Sequence, residues 1–61
     1  MNKINELNPL ELLVVEQDLT QRGVKDYTVR PGNNCIWASW GQVNAYYIFN
    51  SKCELVDLQF D

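Results

Sequence analysis

The sequence predicts an α+β domain in which one N-terminal helix packs on one face of a four-stranded antiparallel meander, in the order α-β-β-β-β. Three observations carry that expectation. Start and stop signals bracket a helix between Asn8 and Gly23. Beyond Gly23 the patterning becomes that of short strands, in four runs rich in β-branched and aromatic residues and separated by turn residues. Finally, 61 residues are too few for two cores, so helix and strands must share one. The expected organisation is a single small domain over 1–61, with an arm at 1–7, the helix at 9–22 and the sheet at 24–60.

Within LNPLEL, Asn8 is suited to the N-cap, Pro9 to the first helical position and Glu11 to the third, which would complete a capping box. Leu7 and Leu12 have the spacing of a hydrophobic staple. At the other end Gly23 can take the left-handed conformation that stops a helix, placing Val24 against Leu19.

The strand runs are VKDYTVR, CIWASW, VNAYYIFN and CELVDLQF. Ile36, Trp40, Val43 and Tyr47 also fall at helical spacing, but the interior Gly41 and the crowding of rings favour strands. The connections are PGNN at 31–34, the Gly-X turn Gly41-Gln42, and Asn50-Ser51-Lys52. These turns predict registers. Gly41-Gln42 sets Trp40 opposite Val43, Ala38 opposite Ala45 and Ile36 opposite Tyr47. A loop at 51–52 sets Phe49 opposite Glu54, Tyr47 opposite Val56 and Ala45 opposite Leu58. A four-residue PGNN loop sets Val29 opposite Ile36 and Tyr27 opposite Ala38.

Side chains then sort onto two faces, since successive strand residues point oppositely. Tyr27, Val29, Ile36, Ala38, Trp40, Val43, Ala45, Tyr47, Phe49, Val56, Leu58 and Phe60 form the face for the helix. The other face carries Thr28, Arg30, Cys35, Trp37, Ser39, Asn44, Tyr46, Ile48, Cys53, Leu55, Asp57 and Gln59. Cys35 and Cys53 lie on strands two apart, about 9.5 Å from each other and beyond disulfide reach, so both are expected as free thiols. With no His in the chain they make a poor zinc set, and neither metal nor cofactor is expected.

Two surfaces remain for function. On the helix, Leu12, Val15 and Leu19 face the sheet, while Leu10, Leu13 and Val14 form a second stripe suited to a partner or a homodimer. On the outer sheet face Trp37, Tyr46, Ile48 and Leu55 are expected at the centre of a patch, with Arg30, Asn44, Asp57 and Gln59 around them. Trp, Tyr and Arg are the side chains enriched where proteins bind one another.

Composition narrows the function classes. Eight acidic and five basic residues give a formal charge of −3, unlike a nucleic-acid binder that draws affinity from Lys and Arg. No apolar run approaches the roughly 18 residues that span a membrane, and the N-terminus lacks a signal-peptide pattern. The expectation is a complete cytoplasmic chain beginning at its own Met1. There is no His, nucleophile elbow or phosphate-cradling loop, and so small a meander is expected to lack a ligand pocket of about 300 Å³ or more. The reading is therefore a non-enzymatic protein-binding module. Small acidic proteins of this kind often come from phages and other mobile elements and act as inhibitors or modulators that occlude a host protein. The alternative is single-stranded nucleic-acid binding, with bases stacking on Trp37 and Tyr46.

Overall fold

The computed structural model describes residues 7–61. The expected N-terminal arm, apart from Leu7, lies outside the described residues. Helix α1 spans Pro9–Gln21, followed by β1 (Thr28–Gly32), β2 (Cys35–Trp40), β3 (Val43–Phe49) and β4 (Leu55–Phe60). The strands form one antiparallel sheet in the order β1-β2-β3-β4, the predicted α+β meander.

Local chemistry explains both helix ends. The Asn8 backbone is extended, and its side-chain oxygen accepts the Leu10 N–H at 2.9 Å. Glu11 does not close the capping box: no bond from Glu11 to Asn8 is present among the described residues. Its carboxylate lies beside the Cys53 thiol, because the β3–β4 turn seats itself over this end of the helix. At the C-terminus Gly23 adopts φ +79. The Val24 N–H then bonds the Leu19 carbonyl at 2.9 Å and the Gly23 N–H bonds the Thr20 carbonyl at 3.0 Å, which is the full Schellman pattern.

The central hairpin has the predicted register, Trp40 opposite Val43, Ala38 opposite Ala45 and Ile36 opposite Tyr47. Gly41 supplies the positive φ of +56 that a tight Gly-X turn requires. Both outer registers differ from expectation by an even number of residues over most of their length. Between β1 and β2 the loop contracts to Asn33-Asn34, so Val29 faces Ala38 and Pro31 faces Ile36. Asn34 makes this possible by taking a left-handed φ of 59, a conformation Asn tolerates better than most residues. Pro31 thereby enters a strand, which is allowed because β1 is an edge.

Between β3 and β4 the connection is longer than predicted, and Asn50 organises it. Its side-chain oxygen accepts the N–H groups of Lys52 and Glu54 at 2.8 and 3.0 Å, and its own N–H reaches the Glu54 carbonyl. Cys53 completes the turn at φ 64. Tyr47 consequently faces Leu58 and Ala45 faces Phe60, while an irregularity beside Ile48 and Phe49 leaves Val56 without a partner between Leu55 and Asp57. Val56 was expected in the core and is instead 59% exposed.

The core consists of Val15 and Leu19 from α1, Ile36 and Ala38 from β2, and Ala45, Tyr47 and Phe49 from β3. Leu7, Leu12, Val24, Tyr27, Val29, Trp40 and Leu58 pack around it. Ala38 and Ala45 sit directly opposite one another and are completely buried. Two methyl-sized side chains at the middle of the sheet leave room for the helix to lie close.

Candidate binding surface on the open sheet face

The registers lay four side chains in one row across the outer face. Arg30 pairs with Trp37, Trp37 with Tyr46, and Tyr46 with Gln59. The Trp37 and Tyr46 rings stack, with centroids 6.1 Å apart and planes inclined by 14°. Arg30 places its guanidinium 5.3 Å from the centre of the Trp37 ring. Trp37 Nε1 donates to Asn44 Oδ1 at 3.1 Å, which sets the rotation of the indole. An aromatic pair contributes about 0.5–1.5 kcal/mol beyond its buried area, and an exposed cation–π contact about 0.5–1 kcal/mol. These contacts order both rings in the free protein while leaving them half-buried.

The next row holds Cys35, Ile48 and Asp57. Asp57 Oδ2 accepts from Gln59 Nε2 at 2.9 Å, so the rim beside Tyr46 is polar and acidic. Among the predicted residues, Arg30, Trp37, Tyr46, Ile48 and Asp57 share this surface. Leu55 does not join them. The irregularity in β4 pairs it with the core residue Phe49, away from the Trp37–Tyr46 row.

The helix stripe is smaller than expected. Leu10 and Leu13 are 66% and 52% exposed, but Val14 packs against the core cluster. A helix lying close to the sheet covers more than the single stripe of Leu12, Val15 and Leu19.

Sequence reasoning missed a polar network on the opposite side of the sheet. The Tyr47 hydroxyl donates to Asp18 Oδ2 at 2.6 Å, and Arg22 Nε donates to the same oxygen at 2.7 Å. Arg22 also lies over the Phe60 ring, 4.9 Å from its centre. Desolvation would raise the Asp18 pKa, but the bonds from Arg22 and Tyr47 outweigh it and hold the carboxyl below its ordinary value of 3.8. Burial, reinforced by the Asp18 carboxylate, pushes the Tyr47 phenol well above its ordinary value of 10.0. Asp18 and Arg22 at helical spacing were legible as a pair. Their meeting with Tyr47 depends on how the helix crosses the sheet.

Both cysteines are free. Asn8 Nδ2 donates to Cys53 Sγ at 3.3 Å, and burial together with the Glu11 carboxylate pushes the Cys53 thiol up. That is opposite to the activation a nucleophilic thiol needs. Among the described residues no three His, Cys, Asp or Glu side chains gather as a metal site, and no helix is long and apolar enough to cross a membrane. The expectation is that the chain lacks a ligand pocket of about 300 Å³ or more; two depressions exceed that volume without enclosing it. A depression of about 440 Å³ lies between Lys25–Thr28 and Ser39–Gly41, and one of about 470 Å³ lies along Glu16, Gln17, Thr20 and Gln21; both are open to solvent.

Comparison with protein-family models, with curated proteins and with solved structures finds no match.

Proposed function

We propose that this protein is a non-enzymatic protein-binding module whose contact surface is the outer sheet face centred on Trp37 and Tyr46. One observation supports this reading above the others: the row Arg30–Trp37–Tyr46–Gln59 gathers three hot-spot side chains, already ordered by their own contacts. Rings ordered before binding lose less entropy on association, so more of the contact energy appears as affinity. Ile48 extends the apolar centre, and Asp57 and Gln59 supply its polar rim. The net charge of −3 favours a basic partner surface and faster association at low salt. In the simplest mechanism the protein occludes a functional surface of a host protein, as a small inhibitor or modulator does. Leu10 and Leu13 offer a second apolar contact on the helix.

The test is affinity capture of partners from host lysate, quantified for the parent chain and a Trp37→Ala/Tyr46→Ala variant. Loss of the captured protein with only a shallow dependence on salt supports the reading. The rival is examined by titrating a single-stranded oligonucleotide against Trp fluorescence. Oligonucleotide binding that needs both rings and falls steeply with salt would replace protein binding as the function.

A further inference from the structure

The two lateral edges of the sheet, β1 and β4, are unlike each other. Strand β1 is five residues long and contains Pro31, which has no N–H to offer, and Arg30. Prolines and charges of this kind blunt an edge against pairing. Strand β4, Leu55–Phe60, contains neither Pro nor a basic residue. It also carries Leu55, Val56 and Phe60, three of the five large hydrophobic side chains left exposed. Among the described residues, nothing pairs with its outer side.

The ladder shows which backbone groups of β4 face outward. Asn44 and Asp61 exchange both backbone hydrogen bonds, at 3.3 and 2.8 Å. Bonded and non-bonded pairs alternate in an antiparallel ladder, so Tyr46–Gln59 and Ile48–Asp57 are bonded pairs as well. The N–H and C=O groups of Leu58 and Phe60 therefore point to the free edge. In agreement, the Leu58 N–H is taken by the side chain of Asp57, at 2.9 Å, and not by β3.

We propose that this edge pairs antiparallel with β4 of a second copy of the chain, about a two-fold axis at Leu58, to form a continuous eight-stranded sheet. Symmetry restricts the choice of register. An axis perpendicular to the sheet keeps every side chain on its own face, so it must pass through a residue and not between two. An axis at Asp57 sets Asp57 against itself, and an axis at Gln59 sets Asp57 against Asp61. Both bring like charges directly opposite, which destabilises a pair of strands. An axis at Leu58 sets Asp57 against Gln59, Leu58 against Leu58 and Val56 against Phe60. The Leu58 pair then uses the outward-facing backbone groups of both copies, and each Val56–Phe60 pair uses those of Phe60. The Asp57–Gln59 contact is chemistry the single chain already makes, at 2.9 Å. Asp57 yields the Leu58 N–H to a carbonyl of the second copy and accepts from that copy's Gln59. This proposal rests on the outward backbone groups of β4 and on the Asp57–Gln59 register, and it does not depend on which partner Trp37 and Tyr46 bind.

The test is sedimentation of the full chain over a wide concentration series, with amide exchange at Leu58 and Phe60 followed by NMR. A dimer is expected whose formation protects those two amides. It should strengthen with salt, because two copies of charge −3 repel. Phe60→Pro removes an outward N–H without touching the β3–β4 ladder and should abolish the dimer while circular dichroism shows the fold retained. Gln59→Lys should tighten the dimer about tenfold and Gln59→Glu should loosen it about tenfold, since each contact occurs twice. Gln17→Lys, on the exposed side of α1, changes the net charge equally and should leave most of that gain absent. A chain monomeric at all concentrations and salts overturns the proposal. So do Gln59 variants of equal affinity, or a dimer that survives Phe60→Pro but is lost in Leu13→Asp. Amide protection that ignores concentration would show that another part of the same chain covers the edge, and refutes it as well.

Discussion

Replacing Tyr47 by Phe isolates the polar contact between the second half of α1 and the sheet. Tyr47 is completely buried, so the Phe ring occupies the same space and only the hydroxyl is lost. The bond removed is short, 2.6 Å, and its acceptor is a carboxylate. Hydrogen bonds to charged groups contribute about 1.5–3 kcal/mol. The Asp18 side chain is 25% exposed and keeps its bond from Arg22, so water and the guanidinium partly compensate for the missing donor. The cost therefore falls at the lower end, about 1.5 kcal/mol, which for a domain of this size lowers Tm by about 6–12 °C.

The pH dependence provides a second readout. Asp18 has a lowered pKa in the folded state, so its contribution is present above 3.8 and is lost as pH falls through that value and below. Tyr47 has a raised pKa, so its contribution is present below 10.0 and is lost as pH climbs beyond it. Urea denaturation at a series of pH values should show a shallower acid limb for the Phe variant, and no loss attributable to position 47 in alkali. A variant as stable as the parent at neutral pH, with an identical acid limb, would refute the reasoning.

Two further outcomes probe the packing and the helix stop. Ala38→Leu adds a branched side chain where the helix approaches Ala38 and Ala45, and should destabilise the domain by about 1–3 kcal/mol in chemical denaturation. No loss would mean the helix is not held close over this pair. Gly23→Ala should cost about 1 kcal/mol although a Cβ there meets nothing within 4 Å, because φ +79 disfavours any side chain. A neutral effect would show that the Schellman cap relaxes freely.

The helix was legible almost to the residue, because caps are local. Asn8, Pro9 and Gly23 act on backbone groups within a turn of themselves, and no tertiary contact is needed to read them. The two sheet faces were legible for the same reason, since alternation is a property of each strand alone. Both outer registers slipped by two, and an even slip leaves most side chains on their own face. Leu55 escaped because a β-irregularity breaks that parity, and Val56 because the same irregularity leaves it unpaired; it arises from Asn50 and Cys53 closing a longer turn than a polar run suggested. The side chains for the outer surface could thus be named from the sequence, with Leu55 wrongly among them. Their arrangement as a row from Arg30 to Gln59 could not, because it depends on registers set by two turns. The Tyr47–Asp18–Arg22 contact and the packing of Val14 against the core lie further still from the sequence. They depend on the distance and angle at which the helix crosses the sheet, which two opposed alanines permit and only the packed chain decides.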